Sequence, residues 1–284
     1  MQSLDKDPHG SNSWIPVEPI FGYGYPPDSG WRRVANHRSL IILVGTTAVG
    51  KGTVITLTRQ QLEQHNQKTL LLPNRRQLTD KIILMDKPIT CRLQRMKLTQ
   101  QFRERVAGGM ASILDHLWIQ VSNTDPSILI FDGLRGESEV SYAIAALPNA
   151  RFVLLEAPAV TRLQRLLKRQ DQFDMVTTIP ETEQDTDLFP ESFDQLNVGA
   201  VDHLFSSFEQ KQLLKWAQDE SILKSNLVSK IQILLEESQN YNTETTKQTL
   251  LDLASSRTLV VDTSQVSSVE ASNLIGQFIQ LVTT

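Results

Sequence analysis

The sequence predicts a three-layer α/β fold built on a five-stranded parallel sheet, and three observations support this. Short runs of apolar residues recur near positions 40, 69, 128, 152 and 258, which is typical of parallel strands that are buried on both faces. Segments with helical periodicity separate these runs. The run near 40 ends in a glycine-rich turn, and the run near 128 ends in a carboxylate. We therefore expect helices on both faces of the sheet, with a helical insertion at about 170–250.

The composition narrows the classes of protein to which the chain can belong. The 284 residues are 40% hydrophobic and carry a formal net charge of −4, whereas nucleic-acid-binding proteins usually have a basic total or a basic stripe. No apolar run approaches the roughly 18 residues of a membrane span. The only cysteine, Cys91, cannot form an intramolecular disulfide. We therefore expect a cytoplasmic protein that contacts neither nucleic acid nor membrane.

Residues 1–37 are predicted to form an irregular arm, distinct from a main domain at 38–284. They are rich in proline, glycine and aromatic residues and show neither helical nor alternating periodicity. The first dozen residues are predicted to be disordered. The aromatic side chains of the arm are expected to cover apolar surface, or alternatively to stack on a bound base; they are Trp14, Phe21, Tyr23, Tyr25 and Trp31.

The strand at 40–44 and the turn after it form the strongest functional signal. In this turn Gly45 and Gly50 bracket four residues, and Lys51 follows directly. This is the spacing of a loop that holds phosphate with its backbone N–H groups and with the N-terminus of the next helix. Lys51 is predicted to reach the β- and γ-phosphates of ATP and to act in catalysis. The residues predicted to bind the nucleotide here are Gly45, Thr46, Thr47, Ala48, Val49, Gly50, Lys51, Gly52 and Thr53.

The end of this loop resembles the loop of nucleoside monophosphate kinases such as adenylate kinase. The common form of the loop places Ser or Thr directly after the lysine, but here Gly52 intervenes and Thr53 is the first hydroxyl. In kinases with the ending G-K-G-T, the hydroxyl two places after the lysine takes part in magnesium binding. The resemblance implies a P-loop NTPase fold, ATP and Mg²⁺ as cofactors, and Thr53 as a metal-binding residue.

A second buried strand, S-I-L-I-F-D at 127–132, is predicted to bring Asp132 to the carboxyl edge of the sheet beside the loop. A carboxylate at this place orients Mg²⁺ or its water, or accepts the proton of the substrate. A carboxylate that only caps the next helix would look similar in sequence. Together with the loop, the pattern favours Asp132 as a catalytic and metal-binding residue.

The block D-G-L-R-G-E-S-E-V at 132–140 resembles dephospho-coenzyme-A-kinase-like and archaeal nucleotide-kinase-like P-loop proteins. The resemblance covers about residues 39–170 and the final strand. It implies that Arg135 contacts the acceptor or the transferred phosphate. It also implies that Arg162 and Arg165 are lid arginines that bind the nucleotide, although their helical spacing would place them on one exposed face in any case.

Arg75, Arg76 and Asp80 follow the second strand, at the edge of the sheet where open α/β sheets bind ligands. Paired arginines bind phosphate bidentately, so these residues are predicted to bind the substrate. The pattern is similar to guanylate-kinase-type sequences, in which an arginine pair follows a strand. Two exposed arginines without a ligand remain the alternative.

The segment 170–195 contains eight acidic residues and no Lys or Arg. We predict a loop at the place where nucleoside monophosphate kinases have a lid. Because carboxylates repel ATP, a linker or a docking element for a protein partner is an alternative role for this acidic loop.

The predicted function is that of an ATP- and Mg²⁺-dependent phosphotransferase that acts on a small-molecule acceptor. A P-loop ATPase that switches a protein partner and a nucleotide-binding protein without turnover are the alternatives. The stretch T-T-A-V-G-K also resembles the loop of a prenyl-transferring tRNA-modification enzyme, but a basic RNA-binding surface is not evident in the sequence.

Overall fold

A computed structural model describes residues 13–121, 128–169, 174, 176 and 190–280. The chain divides into two compact units. The first unit comprises Met1–Lys87, Leu98–Glu156 and Tyr241–Thr284, and the second comprises Pro88–Lys97 and Ala157–Asn240. The boundaries predicted from the sequence, an arm at 1–37 and a domain at 38–284, stay predictions.

The first unit contains a five-stranded parallel sheet and a four-stranded antiparallel sheet. The strands in chain order are β1 (Trp14–Glu18), β2 (Phe21–Gly24), β3 (Trp31–Arg33), β4 (Leu40–Val44), β5 (Thr69–Leu71), β6 (Leu117–Gln120), β7 (Ile128–Leu134), β8 (Ala150–Glu156) and β9 (Thr258–Asp262). The helices are α1 (Lys51–Gln64), α2 (Arg75–Leu78), α3 (Arg92–Arg105), α4 (Met110–Asp115), α5 (Glu137–Ala146), α6 (Ala159–Lys168), α7 (Ser207–Asp219), α8 (Lys224–Asn240), α9 (Thr243–Ala254) and α10 (Ser268–Gln280).

The parallel sheet has the strand order β5-β7-β4-β8-β9, which confirms the five predicted strands. From β4 the chain passes to the edge strand β5, returns to place β7 between β5 and β4, and then crosses to β8 and β9 on the other side of β4. The strand order therefore reverses at β4. In open α/β sheets, ligands bind outside the carboxyl ends of the strands at such a switch point. The end of β4 is consequently the expected place of a ligand site.

Helices cover both faces of this sheet. Successive residues of a strand point to opposite faces, so the side chains of β4 divide into two sets. Leu40, Ile42 and Val44 join a large apolar core with residues of α4, α5 and α9. Ile41 and Leu43 are equally buried but lie outside that core. On their own face, α1 packs against α10. A strand buried on both sides needs a continuous apolar run, which is what residues 40–44 provide.

The predicted irregular arm is wrong for residues 14–33, which form β1, β2 and β3 of the antiparallel sheet β1-β2-β6-β3. The fourth strand of this sheet, β6, lies between β2 and β3 and comes from a distant part of the chain. The glycine content of this stretch suggested irregular structure, but Gly22 is a strand residue that makes room for a neighbouring ring. A Cβ on Gly22 would lie 2.0 Å from an indole carbon of Trp14. The Trp14 and Trp31 rings meet edge to face at 4.7 Å. Residues 1–12 lie outside the described part of the chain.

The second unit contains α6, α7 and α8, and α6 packs against α8. Buried ion pairs support it: Arg162 pairs with Glu237, and Asp174 accepts hydrogen bonds from Arg92 and Arg169. Most of the predicted acidic loop at 170–195 lies outside the described residues, so that prediction is not tested. None of the helices in the described ranges is long and apolar enough to cross a membrane.

Candidate functional site

The loop at residues 45–50, here called the glycine loop, connects the carboxyl end of β4 to α1. Three of its residues have positive φ values: Gly45 at 146°, Ala48 at 63° and Gly50 at 95°. Left-handed residues set among right-handed ones turn backbone N–H groups into an anion-binding concavity. Gly45 is also required by packing, because a Cβ there would lie 2.6 Å from the Leu155 carbonyl oxygen.

The N-terminus of α1 opens onto the glycine loop. Its N-cap residue is Gly50, which has no side chain to accept hydrogen bonds from the first turn. The first hydrogen bond of the helix runs from the Val54 N–H to the Gly50 carbonyl at 3.1 Å. A Cβ on Gly52 would meet no atom within 4 Å. The backbone at Gly52 therefore faces open space, and the helix terminus is a place where an anion is stabilised.

Lys51 and Asp132 lie side by side at this edge of the sheet. The Lys51 Nζ donates hydrogen bonds to the carbonyls of Gly45 and Thr46, each at 2.9 Å. It lies 3.9 Å from the Oδ1 of Asp132. That oxygen is buried and accepts no hydrogen bond from any of the described residues. Neighbouring strands produce this proximity, because Asp132 of β7 pairs in register with Leu43 of β4.

A magnesium ion fits these residues. The described part of the chain contains no group of three or more acidic, His or Cys side chains that could hold a metal by themselves. Mg²⁺ needs no such group, because it is usually bound by one or two protein oxygens together with phosphate oxygens and water. The buried Oδ1 of Asp132 is an oxygen of the required kind, and the exposed Thr53 offers a hydroxyl on the first turn of α1.

Thr263, which the sequence analysis did not identify, holds the glycine loop in place. Its hydroxyl oxygen lies 2.8 Å from the Val49 carbonyl oxygen, to which it donates, and 3.1 Å from the Glu156 carbonyl oxygen. Its N–H also donates to the Glu156 carbonyl, at 2.9 Å. The signal in the sequence would have been a hydroxyl directly after the strand that ends at Asp262.

A neighbouring ion pair joins Lys247 to Glu156 at 2.8 Å, and that hydrogen bond raises the pKa of Lys247.

Five residues next to this edge form what we call the arginine–tyrosine cluster: Arg75, Arg103, Arg135, Glu139 and Tyr241. The Arg75 guanidinium forms a two-pronged pair with the fully buried Glu139, at 2.7 and 2.8 Å. It also donates to the Gly133 carbonyl at 2.7 Å and to the Tyr241 hydroxyl at 2.9 Å. Burial by itself lowers the pKa of Arg75, but the attraction and hydrogen bonds of Glu139 and Tyr241 raise it overall.

The other two guanidinium groups of the cluster approach the Tyr241 ring. Arg103 lies over the ring at 4.5 Å from its centroid and donates a hydrogen bond to the hydroxyl. Arg135 lies 5.9 Å from the same centroid, and its backbone N–H donates to Glu139 at 2.7 Å. Three cationic side chains thus surround one aromatic ring.

The remaining predicted site residues lie elsewhere. Arg76 is in α2 and Asp80 is in the π-helical turn Thr79–Ile83 that follows it; both are half-buried. Arg162 and Arg165 are in α6 of the second unit, where Arg162 is buried and pairs with Glu237. The binding roles assigned to these four residues stay predictions.

Comparisons with known proteins add little. No protein-family model matches the chain, and no curated protein matches it significantly. Among solved structures, one match is an unliganded crystal structure of a sugar kinase from Janibacter sp. HTCC2649. The two chains are 10% identical, the match covers 86% of this chain and 95% of the sugar kinase, and the TM-score is 0.37. A TM-score this low carries no inference about fold or function.

Proposed function

We propose that the protein is an ATP- and Mg²⁺-dependent phosphotransferase that acts on a small-molecule acceptor. One observation carries the proposal: the Lys51 ammonium lies beside a buried carboxylate oxygen of Asp132 that accepts no hydrogen bond, at the point where the strand order reverses. A phosphate loop and an acidic residue on the neighbouring strand are the recurring parts of P-loop phosphoryl transfer.

The glycine loop and α1 supply the nucleotide-binding groups of the proposed site. Backbone N–H groups at 46–53 bind the phosphates, and Lys51 exchanges its two carbonyl contacts for oxygens of the β- and γ-phosphates. Asp132 and Thr53 would hold Mg²⁺, and the ion would supply positive charge that offsets the negative charge of the nucleotide phosphates. Thr263 positions the loop through the Val49 carbonyl.

The proposed reaction is direct transfer. An oxygen of the acceptor forms a bond to the γ-phosphorus while the bond from that phosphorus to the β–γ bridging oxygen breaks. The electron pair of the broken bond leaves on ADP, and the proton of a hydroxyl acceptor is released to solvent. Arg135 is proposed to stabilise the charge that spreads over the transferred group, because preorganised cations act most strongly in a water-excluded site. Arg76, Asp80, Arg162 and Arg165 remain candidates for contacts with acceptor and nucleotide, and a cytoplasmic location remains the expectation.

Acceptor-stimulated release of ADP tests this function. The purified protein is incubated with MgATP and a panel of nucleosides, nucleotides, cofactor precursors and sugars. A kinase excludes water and aligns the acceptor, so the right compound should raise ADP release by orders of magnitude over bare hydrolysis. If no small molecule changes the basal rate while a protein captured from an extract does, the ATPase-switch alternative replaces the kinase.

Magnesium dependence tests the two metal residues. Thr53→Val should raise the Mg²⁺ concentration required for half-maximal activity, and Asp132→Asn should lower turnover more than ATP affinity. Thr56→Val is the matched control, because Thr56 is also exposed on α1 and its hydroxyl bonds only the Gly52 carbonyl of its own helix. A Thr53 variant that behaves like the Thr56 variant would remove Thr53 from the metal site.

A further inference from the structure

The antiparallel sheet has one face in the apolar core and one face toward solvent. Phe21 and Tyr23 of β2 belong to the core, together with their register partners Ile119 and Leu117 of β6. Because side chains alternate between the two faces of a strand, the residues next to these point away from the core. We call this outer side the tryptophan face, and its side chains are Trp14, Pro16, Trp31, Arg33, Trp118 and Gln120. Three of the four tryptophans of the chain thus share one small surface.

The indole rings of the tryptophan face pack against the sheet and against each other. Trp14 lies across Gly22, where a Cβ would be 2.0 Å from a ring carbon. The planes of the Trp14 and Trp31 rings meet at 66°, so the two rings form a corner. All three indoles, including that of Trp118, are half-buried, which leaves part of each ring open to a ligand. Rings that are already held in place offer contact area at little cost in conformational entropy.

The tryptophan face presents hydrogen-bond donors that the protein does not use. The indole N–H groups of Trp14, Trp31 and Trp118 donate no hydrogen bond to any of the described residues. None of these three nitrogens is fully enclosed, so each N–H opens to solvent. An indole can only donate, and a tryptophan N–H usually has an acceptor when the ring is buried in an interface. We therefore expect a ligand of this face to supply acceptors.

Charge and the balance of donors and acceptors select the kind of ligand. The charged side chain of the face, Arg33, donates to the carbonyl and the carboxylate of Asp115 at 3.0 and 2.8 Å. The face therefore offers no spare cation for the phosphates of a nucleic acid, and no carboxylate for an ammonium group. A sugar has hydroxyl donors as well as acceptors, but the Gln120 amide oxygen is the only side-chain acceptor on the face. A proline-rich segment matches the face better, because proline has an apolar ring and a carbonyl acceptor but no backbone N–H.

We propose that the tryptophan face binds a proline-rich segment of a partner protein in the polyproline II conformation. The proline rings pack on the indoles, and the carbonyls of the segment accept hydrogen bonds from the indole N–H groups. Polyproline II has no internal hydrogen bonds, so its carbonyls are available, and its preformed shape lowers the entropy cost of binding. The proposal does not depend on the nucleotide site. Both lie in the first unit, so the partner would be attached to the unit that contains the glycine loop.

Two-dimensional ¹H–¹⁵N NMR spectra of the full chain test this proposal, because each of the four indole N–H groups gives its own resonance. Decaproline is the probe, and single Trp→Phe variants assign the resonances. The peptide should shift the resonances of Trp14, Trp31 and Trp118. The resonance of Trp216 should stay in place, because Trp216 lies in α7 of the second unit. A glycine–serine decapeptide has the same backbone carbonyls but no proline rings, and it should shift none of the four.

Calorimetry with decaproline tests the role of one donor. Trp31→Phe keeps an aromatic ring and removes the N–H, so it should weaken binding by roughly fivefold, the scale of one hydrogen bond. Trp216→Phe is the matched control and should bind like wild type. The proposal is overturned if decaproline shifts none of the three resonances, or if Trp31→Phe binds the peptide as tightly as wild type. Shifts caused by maltohexaose but not by decaproline would also overturn it, in favour of a carbohydrate ligand.

Discussion

The buried pair between Arg75 and Glu139 makes the most quantitative prediction about stability. Glu139 has no exposed surface, and it accepts two hydrogen bonds from Arg75 and one from the Arg135 N–H. Removing one member of a buried pair costs about 3–5 kcal/mol, because the other charge is left without compensation. Arg75→Met strands a fully buried carboxylate and should fall near the upper end, ~4–5 kcal/mol. Glu139→Ala leaves a cation with 13% exposure that water can reach, so ~3 kcal/mol is expected.

A double-mutant cycle isolates the interaction between these two side chains. The double variant should lose less stability than the sum of the single variants, with a coupling energy of about 2–3 kcal/mol. Urea unfolding followed by tryptophan fluorescence is suitable because Trp14, Trp31 and Trp118 belong to the first unit. The exposed pair of Arg59 and Glu63 on α1 is the control cycle and should show a coupling below about 1 kcal/mol. Additive losses at Arg75 and Glu139 would refute the buried-pair reasoning.

Four further predictions concern individual residues. Gly45→Ala should destabilise the protein by ~1–3 kcal/mol in urea unfolding. Gly45 has a φ of 146°, which residues with a side chain rarely adopt, and the new Cβ would lie 2.6 Å from the Leu155 carbonyl oxygen. Gly52→Ala should be neutral or stabilising by up to ~1 kcal/mol but should weaken ATP binding by filling the open space; unaltered affinity would contradict this. Thr263→Val should raise the KM for ATP, with rescue by Thr263→Ser; a serine variant as impaired as valine would argue against the hydrogen bond. Burial raises the pKa of Tyr142, so its contribution to stability is complete below the unfolded pKa of about 10 and declines as the pH rises through the folded value. A Tyr142→Phe difference titration by tyrosinate absorbance should show this late ionisation, and an ordinary midpoint would contradict it.

The sheet could be predicted because its signal is local. A strand such as β4 must be apolar at every position to be buried on both faces, and the loop after it has a fixed spacing. The antiparallel sheet could not be predicted in the same way. Its strands are three to five residues long and contain Pro16 and Gly22, and two of them, β2 and β3, pair with β6 from a distant part of the chain. Short strands whose register depends on distant partners leave little periodicity in the sequence.

The site was predictable only in part, for a related reason. Lys51 and Asp132 are marked in the sequence by the buried apolar runs that precede them, and the structure brings them together. Arg103 and Tyr241 carry no such mark, because they meet only through the folding of α3 and of the chain after α8. The sequence likewise favours Arg75 as a ligand-binding arginine, whereas its partner Glu139 lies 64 residues away and becomes evident only in three dimensions.

Calorimetric titration of MgATP into wild type and Lys51→Ala tests the central claim most directly. Lys51 donates to two carbonyls of the loop and lies 3.9 Å from a carboxylate, and its side chain is only 10% exposed, so its removal should lower the midpoint of urea unfolding. The titration is therefore made under conditions in which the variant is fully folded. Lys68→Ala is the control, because Lys68 is exposed just before β5, at the amino edge of the sheet. We expect wild type and Lys68→Ala to bind MgATP equally, and Lys51→Ala to bind it at least tenfold more weakly, a loss of about 1.4 kcal/mol or more. Equal affinity in all three proteins would contradict the assignment of the glycine loop as a nucleotide site.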